Sequence, residues 1–433
     1  MREVTFKEAL AVWVRIGFLG FGGPAGQIAL MHSLIVDEKK WLDESRFLHA
    51  LNYCMLLPGP EAQQLATYVG WLLHGVKGGL VAGVLFILPG ALAILALSWV
   101  YVLLGHLAVV EGVFFGLKTA VLAIVVQALI RIGRRTLNGK FKPLLAISGF
   151  ITLFVFGLPF PLVVLGSGVI GYAVSKWFNN RETVQPAVGI HTETIIRPGT
   201  KRAVIACLLL WLLTVGTIVA TLGYNHVFSE IAVFFSKMAI VTFGGAYAVL
   251  AYVAQQGVEH FQWLQPEEML QGLGIAETTP GPLILVTQFV GFLAAYRETT
   301  AEPSLWYASL GALLTLWVTF LPCFLWIFAG APYIEKLRSN QSLSAALAAI
   351  TAVVVGVIAN LALWFAINAL FTKHHQVTGF GLDMSLPVLN SVDIPTLTLS
   401  AIAFVLVFGL RLGVLPLISI SASLGALWII WGC

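Results

Sequence analysis

The feature that most constrains this chain is a Pro-Gly-Pro break, Pro58-Gly59-Pro60, set inside an otherwise apolar segment and present twice. The second copy is Pro280-Gly281-Pro282, an offset of 222 residues. The same offset carries Phe21-Gly22-Gly23 onto Phe243-Gly244-Gly245, Trp41-Leu42 onto Trp263-Leu264, and Arg15 onto Lys237. No gap is needed across that window, so a whole unit is duplicated. Each copy holds two broken apolar segments, one interrupted at Gly-Gly and one at Pro-Gly-Pro.

A chain built this way folds in lipid. Its residues are 59% hydrophobic and only 10% charged, with a mean hydropathy of +0.92, which leaves too little polar surface to cover a soluble globule. Apolar runs of about 20 residues recur from end to end, the length a hydrocarbon core of about 30 Å demands. Arg2 and Lys7 precede the first run, but no small-residue cleavage pattern follows, so that run reads as the first helix rather than a signal peptide. The expected fold is all-α: a polytopic integral membrane protein of two homologous halves. Residues 1–180 form the first repeat, 181–227 a linker with one extra membrane helix, and 228–433 the second repeat.

If each broken segment crosses the bilayer, there are about 13 membrane segments. The single extra helix then places the halves in opposite orientation, as an inverted repeat. If instead the Pro-Gly-Pro segments are re-entrant hairpins, the halves run parallel. The tally of Lys and Arg in the loops is the same for both arrangements, so charge does not choose. Broken helices facing each other at the midplane are the usual plan of inverted-repeat transporters, which favours the first arrangement.

The breaks carry the chemistry. A Pro-Gly-Pro interruption facing lipid would strand backbone N–H and C=O groups, so it must line protein or water. Pro60 and Pro282 suit the first position of a new helix, and a half-helix starting there presents free N–H groups and a positive dipole end at membrane depth. Gly22, Gly23, Gly244 and Gly245 allow close backbone approach or expose N–H groups of their own. Gln63, Gln64, Thr67, Thr278, Thr279, Thr287 and Gln288 supply neutral donors beside the breaks, either for an oxyanion or for freed backbone groups. Arg15 and Lys237 occupy one repeat position, and each costs about 2.5 to 3.5 kcal/mol at a helix centre. Together they suit a small dianion, although each can also snorkel to an interface. Lys118 is a third membrane cation without a counterpart. Glu61 and Glu277 are candidate proton carriers, and Glu61 also suits the first turn of a helix on dipole grounds alone.

Other functions find no support in the residues. The four cysteines, Cys54, Cys207, Cys323 and Cys433, have no metal or redox spacing, and no HExxH, GxSxG or Walker A motif is present. The chain is therefore expected to be neither an enzyme nor a nucleic-acid binder, and to need no cofactor or metal.

The ordered set Gly20-Phe21-Gly22-Gly23-Pro24, Val36, Trp41, Pro58-Gly59-Pro60, Gly70 and Gly78 resembles the chromate ion transporter family in its long, two-domain form. Phe243-Gly244-Gly245, Trp263 and Pro280-Gly281-Pro282 repeat the first part of the set. The resemblance spans essentially the whole chain. It implies thirteen crossings with antiparallel halves in the plasma membrane and efflux of chromate from the cytoplasm, conferring resistance. Driven by the membrane potential or coupled to protons as an antiporter, such a protein needs no ATP. Its partners would be chromate or a sulfate-like dianion and the lipid bilayer, with homo-oligomerisation open. The alternative is a sulfate or general oxyanion carrier working by import or exchange. The second copy departs from the first, with Ala246 in place of Pro24 and Leu283 in place of Glu61, so Glu61 is not a symmetric element.

Overall fold

The computed structural model describes residues 4–139, 141–178, 198–241, 243, 245–298, 303–331, 341–379 and 381–431. The expected linker around 181–197 and Gly244 lie outside them. The first repeat is α1 (Phe6–Leu19), α2 (Gly23–His32), α3 (Glu44–Cys54), α4 (Glu61–Leu104), α5 (Ala108–Thr136), α6 (Phe141–Phe154) and α7 (Phe160–Phe178). After α8 (Thr200–Leu222), the second runs through α9 (Val227–Val241), α10 (Ala246–Ala254), α11 (Pro266–Thr278), α12 (Val286–Glu298) and α13 (Leu305–Gly330). It ends with α14 (Gln341–Leu370), a β-hairpin of β1 (His374–Gly379) and β2 (Leu382–Pro387), α15 (Ile394–Phe404) and α16 (Val414–Ile430).

The duplication survives in backbone detail. A π-helical turn closes each Gly-Gly segment, at Ser33–Glu38 and at Gln255–His260, again 222 residues apart. Two residues later Lys40 and Gln262 both adopt left-handed backbone, at φ 54° and 55°. The following N–H groups then reach the same way, Trp41 to the carbonyl of Ile35 and Trp263 to that of Gly257. Each indole lands on the returning arm's partner: Trp13 and Trp41 have ring centroids 6.4 Å apart, Phe235 and Trp263 5.9 Å.

Those contacts show that the broken segments turn back. Arg15 of α1 meets Glu38, beyond α2, at 3.2 Å. Arg297 at the end of α12 bonds Glu268 at the start of α11 at 2.5 Å and the carbonyl of Trp263 at 2.7 Å. Within α4 the chain reverses at His74 and Gly75 (φ 63°), and Gly70 packs on Gly78 so closely that a Cβ on Gly70 would sit 2.4 Å from the Gly78 carbonyl oxygen. His74 in that turn bonds the carbonyl of Val4, ahead of α1. Residues 5–38, 44–73, 227–260 and 266–298 are thus four re-entrant helical pairs, each too short per arm to span.

Helix length and apolarity do not confirm the expected count of about 13 crossings. Among the described residues six helices are long and apolar enough to cross a membrane, α4, α5, α7, α8, α13 and α14, and three shorter apolar ones, α6, α15 with its continuation to Gly409, and α16, accompany them. Only residues 76–104 of α4 cross, about 43 Å at 1.5 Å per residue. Because both broken segments of each half turn back, two crossings drop out of each, and the halves keep opposite orientation. The first-half pairs open at the His74 end of α4. The second-half pairs open at its Tyr101 end, where Tyr101 Oη donates to Gln271 at 2.8 Å.

The crossing helices interlock across the repeat. α5 packs on α16 and α14 on α7, both through small residues. A Cβ on Gly116 would meet the Ser421 carbonyl oxygen at 2.0 Å, and one on Gly171 the Ala345 carbonyl oxygen at 2.7 Å. These contacts follow the close-approach rule for membrane helices, in which glycine replaces bulk with backbone proximity.

This topology makes a direct prediction. In a chain freed of its native cysteines, Lys40→Cys and Lys77→Cys will react with a membrane-impermeant maleimide from the same face. Labelling from opposite faces would mean that residues 44–73 cross the bilayer.

Candidate functional site

The four tips meet at mid-depth, and each half clasps the other. The N–H of Gly281 donates to the carbonyl of Gly20 at 2.9 Å, joining the first Gly-Gly tip to the second Pro-Gly-Pro tip. Gln27 Nε2 bridges both, donating to the carbonyls of Gly281 (2.5 Å) and Gly20 (3.1 Å). At the reciprocal junction Glu61 Oε1 lies beside Gly245, 3.6 Å from where a Cβ would stand. Two glycines are required by this crowding. Gly59 (φ +125°) has Gln64 Nε2 and Cys323 Sγ at 2.7 and 3.0 Å from any Cβ, and Gly90 of α4 has the Pro280 carbonyl oxygen at 2.0 Å.

At each tip one helix ends and another begins, so negative and positive dipole ends coincide. Side chains cap the negative ones. Gln64 Nε2 donates to the Pro58 carbonyl at 2.7 Å, Thr278 Oγ1 to that of Ile275 at 2.6 Å, and Thr279 Oγ1 to that of Ala276 at 3.2 Å. Gln27 covers the Gly20 carbonyl at the first Gly-Gly tip in the same way. The starting ends of α2, α4, α10 and the turn leading into α12 keep first-turn N–H groups that no helix bond uses. The broken segments thus bring helix-start N–H groups together with partly capped carbonyls.

Of the two roles expected for the amides, an oxyanion or freed backbone groups, Gln27, Gln64 and Gln288 donate to backbone carbonyls. Gln288 Nε2 donates to the Ala91 carbonyl at 3.0 Å and Gln63 Nε2 to Thr67 Oγ1 at 3.0 Å. Reversing the amide of Gln27, Gln64 or Gln288 would set oxygen against oxygen, so these orientations follow from the network. All four side chains are buried, and their Oε1 atoms have no protein partner.

The basic residues are distributed unlike a paired site. Arg15 is exposed and bound to Glu38, and α1 packs on α2 and α4. Lys237 is exposed on α9, which packs on α7, α8, α12 and α13, so the structure does not bring the two together. Lys118 is buried in α5 with its Nζ 5.3 Å from the Phe115 ring centroid, and Asp393 and Glu267 act on it from the far end.

The basic groups that act at long range on the carboxylates of the broken segments are exposed guanidinium groups near the end of α5, read in the sequence as loop charges. Arg131 and Arg135 lie one turn apart on α5, hence on one face. Arg135 acts electrostatically on Glu61, and Arg131 on Glu277 and Tyr247. Glu277 is buried and accepts a 2.7 Å hydrogen bond from Tyr247 Oη. Tyr247 and Gln27 were also missed. Both are polar groups on broken segments, but the opposite copy has Ala25 and Val249 there, so the repeat gave no signal. Among the described residues no cluster of His, Cys, Asp or Glu suits a metal ion.

Broken segments paired tip to tip across two repeated halves define a polytopic helical membrane protein. The family described as "Chromate transporter" matches residues 7–172 and 229–427, and this chain belongs to it. It is 28% identical over 358 residues to the chromate transport protein of Cupriavidus metallidurans, covering 82% of this chain and 81% of that one. It is 29% identical over 358 residues to the chromate transport protein of Pseudomonas aeruginosa (82% and 80% covered). A probable chromate transport protein of Synechococcus elongatus is 27% identical over 360 residues (82% and 83%). No solved structure matches the fold.

The clasp yields a stability prediction. Gly90→Ala drives a methyl into the Pro280 carbonyl. Gln27→Leu removes the side-chain donor of the Gly281 carbonyl and leaves the Gly20 carbonyl with the Gly281 N–H alone. Each should cost about 1–3 kcal/mol, lowering the melting midpoint of the detergent-purified protein. Unchanged midpoints in both would mean the tips are not held by these contacts.

Proposed function

We propose that this protein is a secondary transporter in the plasma membrane that exports chromate, a tetrahedral dianion, from the cytoplasm and so confers resistance to it. The observation that carries the reading is the midplane cluster of unused helix N-termini with partly capped carbonyl ends. Backbone N–H groups at helix starts bind tetrahedral oxyanions without a metal or a buried counter-charge. The family and the printed names of the relatives supply the particular anion.

The direction rests on sidedness. Lys39, Lys40, Arg46, Lys77, Arg131, Arg134, Arg135, Lys142, Lys176, Lys201, Arg202 and Arg411 lie at the His74 end, whereas Arg297 and Lys373 lie at the other. By the positive-inside tendency the His74 end faces the cytoplasm. Arg131 and Arg135 then stand on the cytoplasmic approach to the tips and raise the local concentration of a dianion there. Once bound at mid-depth, the dianion moves outward down a field worth about 2.3 kcal/mol per charge per 100 mV. Glu61, beside a Gly-Gly tip, carries the proton in this reading: ionised while the anion leaves and protonated on the anion-free return, so that a proton moves in as the dianion moves out. Glu277, already bonded to Tyr247, is the weaker candidate for that role. A sulfate or general oxyanion carrier uses the same N–H groups, and competition separates the two.

In everted vesicles, energy-dependent uptake of radiolabelled chromate should resist excess sulfate. Equal transport of sulfate, or no accumulation in this orientation, would reassign the protein as a general oxyanion carrier or an importer. Arg131→Gln and Arg135→Gln should each raise KM by roughly tenfold while kcat changes little, the pattern of lost uniform attraction. Glu61→Gln should remove the response of transport to an imposed pH gradient and keep the response to membrane potential. A retained pH response would assign the proton elsewhere.

A further inference from the structure

At the end of the molecule opposite Arg131 and Arg135 lies a cavity of about 160 Å³ between the α6–α7 connection, the π-helical turn after α10, and α14. Gln255, Asn360, Asn368 and Gln376 line it, together with Glu259. Glu259 is the one charged group among its lining residues. Trp364 Nε1 donates to Glu259 Oε1 at 3.0 Å and so fixes that carboxylate at the wall. Asn368 spends its Nδ2 on the Trp364 carbonyl at 2.9 Å, which leaves its oxygen as the group available to a ligand. The β-hairpin forms the roof: Gln376 and Ser385 are directly paired across β1 and β2, so both side chains fall on the same face, and both line the cavity.

The sign of the cavity is opposite to that of its counterpart. Thr119-Ala120-Val121 of α5 and Thr351-Ala352-Val353 of α14 align the two helices. That register places Leu363 and Ile367, the residues just before Trp364 and Asn368, at the positions equivalent to Arg131 and Arg135. Where α5 presents two guanidinium groups, α14 has no charged residue along its length. A carboxylate, amide oxygens and the face of an indole are ligands for a positive ion and repel a dianion.

We propose that this outer cavity binds a small monovalent cation, Na⁺ or K⁺, through Glu259 and the amide oxygens of Asn360, Asn368, Gln255 and Gln376. The proposal rests on the transporter reading only for what the cation does: moving inward as the dianion leaves, it adds to the electrical driving force. Binding itself needs no chromate, and the test uses none.

The full-length protein is purified in detergent, and its melting midpoint is measured in the chlorides of sodium, potassium and N-methylglucamine at equal ionic strength. A saturable rise with sodium or potassium, absent with N-methylglucamine and lost in both Glu259→Gln and Asn360→Leu, supports the site. If either variant fails to fold, Gln376→Leu on the hairpin replaces it, with the same loss expected. An equal rise in all three salts is an ionic-strength effect and overturns the proposal, as does a rise that persists in the variants. A midpoint that depends on pH alone and loses that dependence in Glu259→Gln overturns it in favour of a proton. Should cation binding hold while vesicles move no chromate, the substrate reading fails and the cation site stands.

Discussion

Backbone hydrogen bonding in a medium without water is the constraint on which the rest of this structure depends. Four interruptions at mid-depth release N–H and C=O groups that lipid cannot satisfy, and the fold answers by burying each interruption against another. Gly281 donates to Gly20, Gln27 spans the two, and Gln64 closes on Pro58. Glycine at 59, 90 and 281 permits the approach, since a side chain at any of them would meet atoms within 3.1 Å. The same accounting decides the chemistry. Polar side chains cover several of the freed carbonyls, and helix-start N–H groups and glutamine oxygens remain without a partner among the described residues.

Much of this was legible in the sequence, because duplication turns weak signals into strong ones. Pro58-Gly59-Pro60 alone is a kink, but its recurrence with Phe-Gly-Gly and Trp at one offset marks two broken segments per half. What the sequence did not disclose is where those segments go. An arm of about fourteen residues with a glycine break reads the same whether the next arm continues or returns. The deciding contacts, Arg15 with Glu38 and Arg297 with Glu268, join residues more than twenty positions apart. Loop charge does not help either, since turning both segments of a half back preserves parity. Arg131 and Arg135 were hidden for a different reason. They lie in the last turns of α5, where a basic stretch is expected on dipole and topology grounds alone.

Inverted repeats need not be electrically equivalent, and this one is not. Pro24 and Glu61 of the first copy are Ala246 and Leu283 in the second, and the guanidinium pair of α5 has neutral residues opposite it on α14. Acidic side chains, Glu111, Glu259, Glu267, Glu268 and Glu298, gather at the end where few basic ones lie. The backbone is thus nearly symmetric about the midplane while the charge runs from positive to negative across it. A symmetric scaffold can rock between two equivalent shapes, and the superimposed charge makes the two faces distinguishable to an ion.

The crossed pairing of the tips has a consequence for how such a protein can be made. Each Gly-Gly tip is completed only by the Pro-Gly-Pro tip of the opposite half, so neither half contains its own partner. Were the two halves separate chains, each would have to be inserted into the bilayer upside down relative to the other and in equal number before any tip was satisfied. α8, a single crossing without a counterpart in either repeat, removes that requirement: it carries the chain to the far side once, and the second half is threaded in mirror sense during the same synthesis.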